Sequence, residues 1–293
     1  MNDCNTIKVI KKEDERFPWF LANMEEAPEQ LYCIGDLSLL EMPKMAIVGA
    51  RKCSDYGKRA ALQMGELLAR YNIVTVSGMA KGVDSYAHQG ALNKKGKTIA
   101  VLGCGVDICY PYANKKLYED IKKEGLVVSE YPPGTVAMPY MFPQRNRIIS
   151  GLSEAVAVME AGLKSGSLIT AVTAAAQGKE VFALPGNINS SFSIGTNKLI
   201  QDGATIITEL SDVLTCFPDA AINNKTDSID ILRHLGEDEY DIYSCLEEKG
   251  PLSCDLLCSI LGKSPAFING VLTIMEIKGY ISYTNGKIHI AKF

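Results

Sequence analysis

Short apolar runs of strand length alternate with amphipathic stretches along most of the chain. The runs at 45–48, 73–76, 98–102, 126–129, 155–159, 180–184 and 204–207 are too short for helices, and most run into a polar or glycine-bearing turn. They predict strands of a buried sheet. Between them apolar residues recur at helical spacing, most clearly over 56–70 with Ala60, Leu62, Met64, Leu67 and Leu68. Further helices are expected at 85–93, 117–123, 168–177 and 195–200, with a helical turn at 210–214. Strand and helix in alternation predict an α/β fold with a doubly wound, mostly parallel sheet over residues 45–217. Residues 1–44 are broken by Pro18, Pro28 and Pro43, with 31–34 as a candidate isolated strand, and read as a lead-in that packs on the main domain. Residues 218–237 read as a polar linker. From 238 to 293 the pattern changes to three helices (239–248, 253–261, 265–278) and two short strands (281–283, 288–290) around Asn285-Gly286. An Asn-Gly pair between alternating runs signals a hairpin, and this order of elements is that of a winged helix.

In an open parallel sheet ligands bind beyond the carboxyl ends of the strands, so the turns there are where chemistry is expected. The stretch 142–186 is the densest in such turns. It carries a cationic turn (Arg145, Asn146, Arg147), a strand, the turn Ser165-Gly166-Ser167, a helix of small residues and a second strand closed by Pro185-Gly186. Arg51 follows Gly49 at another strand end, beside a helix that Ser54 or Asp55 caps. The turn 77–84 places Asp84 as the cap of the next helix, and His88 inside it reads as a packed or surface histidine. Gly103-Cys104-Gly105-Val106-Asp107 resembles a dinucleotide fingerprint but lacks the third glycine and does not follow the first strand. The proline-rich loop 131–142 is expected to form a binding lip.

Composition narrows these readings. The chain has 293 residues, 22% charged and 47% hydrophobic, which suits a folded domain with a second, smaller one. Its net charge of -4 is unevenly spread: residues 227–293 hold six Lys and Arg against ten Asp and Glu, leaving 24 and 24 in residues 1–226. A neutral domain can still gather cations in one pocket, whereas a uniformly basic coat is excluded. Nine cysteines form no CxxC pair, and Cys254 and Cys258 stand a helical turn apart without a second ligand pair, so free thiols in a reducing cytosol and no metal are expected. The first residues are polar, and no apolar run approaches membrane-spanning length, so a cytoplasmic place is expected. No serine or cysteine nucleophile has an assignable base, so neither an enzyme nor a cofactor is expected.

Several motifs then combine. GARKCSDYG (49–57), SGMAKGVDSYAH (77–88), TIAVLGCGVDICYP (98–111), SEYPPGT (129–135), FPQRNRIISGLS (142–153), SGSLITA (165–171), LPG (184–186) and GTNKLIQDGA (195–204) resemble, in consistent order over about residues 17–214, the DprA/Smf family of DNA-processing proteins. The resemblance implies an extended Rossmann-like sheet that binds single-stranded DNA rather than a dinucleotide. It also implies protection of incoming DNA, loading of RecA recombinase in natural transformation, and a homodimer through about 195–214. It places Arg51, Lys52, Arg145, Asn146, Arg147 and Ser165, Gly166 and Ser167 at the DNA. Lys81 or Lys164 stands in for a lysine that members often carry just before the arginine pair, where this chain has Pro139-Tyr140-Met141. Guanidinium forks and helix N-termini suit phosphates, and Tyr140 or Phe142 suits a stacked base. Arg147, beside an apolar stretch, is the arginine expected to pair with Glu130 or Glu160. The SAM-type helical domain of many members is expected to be absent or vestigial.

Two other readings remain. A nucleotide phosphoribohydrolase of the lysine-decarboxylase-like group would need a glutamate that PPGTVAMP (132–139) lacks. A winged-helix binder of duplex DNA would need base-reading side chains that SPAFINGVLTIMEIK (264–278) lacks beyond Asn269.

Overall fold

The apolar runs become strands of one sheet. In the computed structural model, which describes residues 6–220, 235–278, 280–284 and 286–290, the strands of the first unit are β1 (Lys8–Lys11), β2 (Gln30–Gly35), β3 (Lys44–Val48), β4 (Val74–Ser77), β5 (Thr98–Val101), β6 (Leu126–Ser129), β7 (Ala155–Val158), β8 (Glu180–Ala183) and β9 (Thr205–Ile206). The helices are α1 (Trp19–Ala22), α2 (Asp55–Arg70), α3 (Val83–Asn93), α4 (Lys115–Glu124), α5 (Met141–Leu152), α6 (Gly166–Ala176) and α7 (Ile194–Gln201). The sheet order is β1-β2-β6-β5-β4-β3-β7-β8-β9. Strands β3 to β9 are parallel, with Met45 of β3 opposite Thr75 on one side and Ala155 on the other. The chain thus lays β4, β5 and β6 to one side of β3, then returns to lay β7, β8 and β9 on the other. That reversal opens a crevice at the carboxyl ends of β3 and β7.

The lead-in is part of the sheet and not a segment packed on it. β2 pairs antiparallel with β6 (Cys33 opposite Val128), and β1 pairs antiparallel with β2 (Val9 opposite Tyr32). Ile10, Leu21, Leu31 and Cys33 are wholly buried in the same core as Val76, Val128 and Val156. The physical reason is the open edge of β6: its backbone groups need partners, and an apolar strand supplies them while covering the core. Periodicity marks such a strand but not its partner, which lies about 95 residues further along.

Helix starts follow local chemistry. Ser54 caps α2 by accepting a hydrogen bond from the Gly57 amide at 3.2 Å, and Ala60, Ala61, Met64 and Leu68 turn its buried stripe to the sheet. The expected turn at 145–147 is helical instead, because Pro143 sits in the first turn of α5, where a missing N–H costs nothing. At about 100° per residue, Arg145 and Arg147 leave the helix on nearly opposite sides. Asp84 does not cap α3: Gly82, at φ 81°, holds that place. His88 is fully buried with Nδ1 2.6 Å from Thr98 Oγ1. That hydroxyl donates to the Thr75 carbonyl at 2.7 Å, so Nδ1 carries the imidazole proton and donates it.

The chain divides into two units, Met1–Ala221 and Ile222–Phe293. In the second, α8 (Glu237–Lys249), α9 (Cys254–Leu261) and α10 (Pro265–Ile277) pack with the antiparallel pair β10 (Ile281–Thr284) and β11 (Lys287–Ile290), and Leu252 bridges to Ile288. Ile242, Leu246, Leu257, Leu272, Met275 and Ile288 form its core. The element order is the one expected of a winged helix. Asn285 of the expected hairpin turn and residues 221–234 of the expected linker lie outside the described residues. Among the described residues no single helix is long and apolar enough to cross a membrane, and no three His, Cys, Asp or Glu side chains gather as metal ligands.

Two outcomes follow. Leu31→Ala empties a fully buried site in β2 and is expected to lower stability by about 2–5 kcal/mol, read from the denaturant midpoint; a change typical of a surface site would mean that the lead-in is not part of the core. Burial holds the His88 imidazole down at about 3, so the unfolded chain takes up a proton below its ordinary 6.5 while the folded chain does not. Stability is therefore expected to fall as pH drops from 6.5 towards 3, by about 1.4 kcal/mol per unit from this group. Burial raises the Asp84 carboxyl, which gains its proton first in the folded state and offsets part of that loss. Melting of His88→Asn across this range, compared with the parent, isolates the histidine's share.

Candidate functional site

A cleft of about 770 Å³ opens at the β3/β7 reversal. The loop after β3 brings Gly49, Ala50, Arg51 and Lys52 to it, the loop after β7 brings Gly162 and Lys164, and the first turn of α6 brings Ser165, Gly166 and Ser167. Helix α5 adds Phe142, Arg145 and Asn146.

Three helices begin near this cleft, and two of the three starts already hold a carboxylate. Glu160, buried at the end of β7, accepts from the Ser54 amide at 2.8 Å and from the Ser54 hydroxyl. Its backbone carbonyl also accepts from the Ala50 amide at 2.7 Å. Glu160 thus occupies the positive end of α2, and Gly57 is a glycine because a Cβ there would run into the Glu160 carboxylate. Ahead of α3, buried Asp84 accepts from the amides of Gly78 at 3.2 Å and Ala80 at 3.3 Å. Asn114 Nδ2 donates to the Met79 carbonyl at 2.8 Å, fixing a turn in which Met79 has φ 61°. The start of α6 differs. It faces the cleft with two hydroxyls, Ser165 Oγ and Ser167 Oγ, 2.8 Å apart, and no carboxylate. A phosphate group has a place there, with the helix field favouring its charge.

The cations divide in the same way. Arg145 is only 4% exposed; its Nη1 donates to the Gly78 carbonyl at 2.6 Å and to the Val101 carbonyl, tying the ends of β4 and β5 together. Gly78 must be glycine for this, since a Cβ would stand 2.5 Å from Arg145 Nη1. Burial pulls the Arg145 guanidinium down to about 10 against the attraction of nearby Asp84, and the Asp84 carboxyl is raised by burial although Arg145 draws it down. Arg51, Lys52 and Lys164, by contrast, are exposed at the cleft. The Arg51 guanidinium lies 5.3 Å from the centre of the Phe142 ring, and Phe142 stacks on Tyr110 at 5.3 Å with 27° between planes. This arginine-aromatic-aromatic stack is a platform for a flat heterocycle beside a phosphate seat.

Of the ten residues expected at the site, eight line the cleft: Arg51, Lys52, Arg145, Asn146, Lys164, Ser165, Gly166 and Ser167. The expected convergence of three arginines does not occur. Arg147 leaves α5 on the far side and pairs with Glu130 at 2.5 Å, as its apolar neighbours suggested. Lys81 is exposed away from the lining, and Lys164 takes the place held open for either. Tyr140 does not line the cleft either, so the aromatic role falls to Phe142. Sequence reasoning missed Tyr110, whose local pattern carries no signal. It also missed Glu160 as the partner of α2, although a lone carboxylate directly after the buried run AVAVM was a visible anomaly.

Comparison with known proteins places these features in a wider set. Residues 8–218 match the sequence family described as DNA recombination-mediator protein A. A curated relative, the DNA processing protein DprA of Streptococcus pneumoniae, is 47% identical over 204 residues, covering 70% of this chain and 72% of that protein. The X-ray structure of DNA processing protein A from Streptococcus pneumoniae superposes with a TM-score of 0.69 at 44% identity, covering 72% of this chain and 74% of the other. A structure of DNA processing protein A from Helicobacter pylori, described for its single-stranded DNA binding mode, superposes at 0.67 with 34% identity, covering 73% and 96%.

Removing Arg145 leaves two strand-end carbonyls without their donor and Asp84 without its compensating charge. Arg145→Ala is expected to cost about 3–5 kcal/mol of stability, seen as a lower melting temperature. An unchanged melting temperature would show that the guanidinium does not hold the strand ends.

Proposed function

The chain belongs to the DNA recombination-mediator protein A family, the DprA and Smf proteins, and from that premise we propose that it binds single-stranded DNA in the cleft at the β3/β7 reversal. The observation that carries this reading is the pairing of a carboxylate-free helix start (Ser165–Ser167) with the Arg51-Phe142-Tyr110 stack. Phosphate at the first and a base on the second is the chemistry of strand binding without sequence preference. Arg51, Lys52 and Lys164 supply the exposed charge, while Asn146, whose Nδ2 donates to the Gly166 carbonyl at 3.3 Å, holds the α6 turn in place. Arg145 shapes the floor beneath them.

The strand so held is protected and passed to a RecA-type recombinase, a role that membership of a recombination-mediator family supports. A homodimer through about 195–214 fits the open edge of the sheet: β9 is short, and Ile206 is exposed on it. We assign the second unit as a winged helix from its element order.

The two rival readings find less support. The PPGT turn is folded inward, the Gly134 amide donating to Asp107 Oδ1 at 2.9 Å, so it does not present a phosphate loop. The outward face of α10 carries Phe267, Ile274 and Ile277, which suit neither base edges nor phosphates.

Arg51→Ala is expected to weaken single-stranded DNA binding by about 1–3 kcal/mol with an unchanged melting temperature, measured by fluorescence anisotropy at fixed salt. Affinity should fall steeply with salt and vary little with base sequence, and unlabelled single strands should compete better than duplex DNA or nucleotides. Unaltered binding by Arg51→Ala and Lys164→Ala together would remove the cleft as the DNA site.

A further inference from the structure

A second cleft, of about 850 Å³, lies on the other side of α5 from the first, between α1, α5 and α6. Its outer wall is Trp19, 70% exposed, set edge-on to Phe20, 53% exposed, with ring centres 5.1 Å apart. Lys179 Nζ sits 3.4 Å from the centre of the Phe20 ring. Two large aromatic rings held open to water in a four-residue helix are a cost to the folded chain unless something covers them. The opposite wall is polar, with Gln144, Arg147 and Gln177. Although Arg147 pairs with Glu130, its Nη1 is buried with no hydrogen-bond partner, and so is Gln177 Oε1. One donor and one acceptor are thus unmet on residues of the same wall.

We propose that this second cleft receives a base of the same single strand, stacked on Trp19 and hydrogen-bonded through its edge to Arg147 and Gln177. The inference rests on the strand-binding reading of the first cleft and extends the strand's path beyond it. Three observations select a nucleobase over a protein side chain. Pro143 lines both clefts, so a strand leaving the first crosses directly into the second. From Pro143 to Gly151, both on the second cleft's wall, α5 runs about 12 Å, room for more than one base. The unmet donor and acceptor match a heterocycle edge, whereas an apolar side chain would leave both unpaired. Glu25 and Glu26 on the rim keep phosphates outside, and Lys179 offers the neighbouring cation, so the base turns inward and the backbone stays in solvent.

Trp19 is the sole tryptophan of the chain, so its emission reports this cleft alone. The full-length protein is titrated with single-stranded oligonucleotides of about 4 and about 16 nucleotides, binding being followed by anisotropy and contact by Trp19 fluorescence. The long strand is expected to bind and quench Trp19, and the short one to bind in the first cleft and leave the emission unchanged. Trp19→Ala, at an exposed position, should keep the parent melting temperature, weaken the long strand about tenfold and leave the short one unaffected, while Trp19→Phe retains most of the affinity. If the long strand binds with unchanged emission and Trp19→Ala binds it as the parent does, the second cleft is not a base site and the aromatic pair is left to a protein partner, while the first cleft's reading stands. An equal loss at both lengths also overturns the inference, since Trp19 would then act through the fold. Should neither strand bind the parent protein, the strand-binding reading fails, and this inference with it.

Discussion

A guanidinium with almost no access to water holds the middle of this protein in shape. Arg145 reaches from α5 under the sheet's carboxyl end and donates to the carbonyls that close β4 and β5. Burying such a group without partners would be prohibitive, so the site is built around it. Gly78 has no side chain to obstruct it, Asp84 lies close enough to balance its charge, and Asp84 in turn grips the amides of Gly78 and Ala80. The strained turn at Met79, the start of α3 and the floor of the first cleft all hang on that one contact set.

The same logic sorts the remaining charges around the cleft. Glu160 faces the start of α2 and Glu130 faces Arg147, so those groups are neutralised within the fold. Arg51, Lys52 and Lys164 have no such inward role and stay at the surface of the cleft. A domain whose net charge is near zero therefore still presents a cationic pocket, because its carboxylates are drawn inward to helix starts and its cations are left outward. The one helix start without a carboxylate, that of α6, is the one that opens on the pocket.

The second unit has a different surface character. Its core is small, its charge is acidic, and α10 turns Phe267, Ile274 and Ile277 to solvent where a duplex-reading helix would carry donors and acceptors. Strand binding accordingly belongs to the first unit. The aromatic residues open to solvent there, Trp19 and Phe20 on one side of α5 and Tyr110 on the other, flank a single helix.

The order of strands and helices from β3 onward, the parallel sheet, and the placing of Arg51 and Ser165–Ser167 at strand ends were legible in the sequence, because each depends on neighbours within a few residues. An apolar run of four or five residues needs burial whatever surrounds it, and a Ser-Gly-Ser turn before small residues starts a helix wherever it falls. The pairing of β2 with β6, the loss of Arg147 from the cleft and the inward place of Arg145 were not legible. Arg145 and Arg147 are adjacent to the same asparagine and look alike as text; only a helix through 141–152, with its rotation of about 100° per residue, sends one under the sheet and the other to Glu130. Whether an arginine binds a ligand or a carbonyl is decided by what stands opposite it, and what stands opposite Arg145 arrives from Gly78 and Val101, 67 and 44 residues away along the chain.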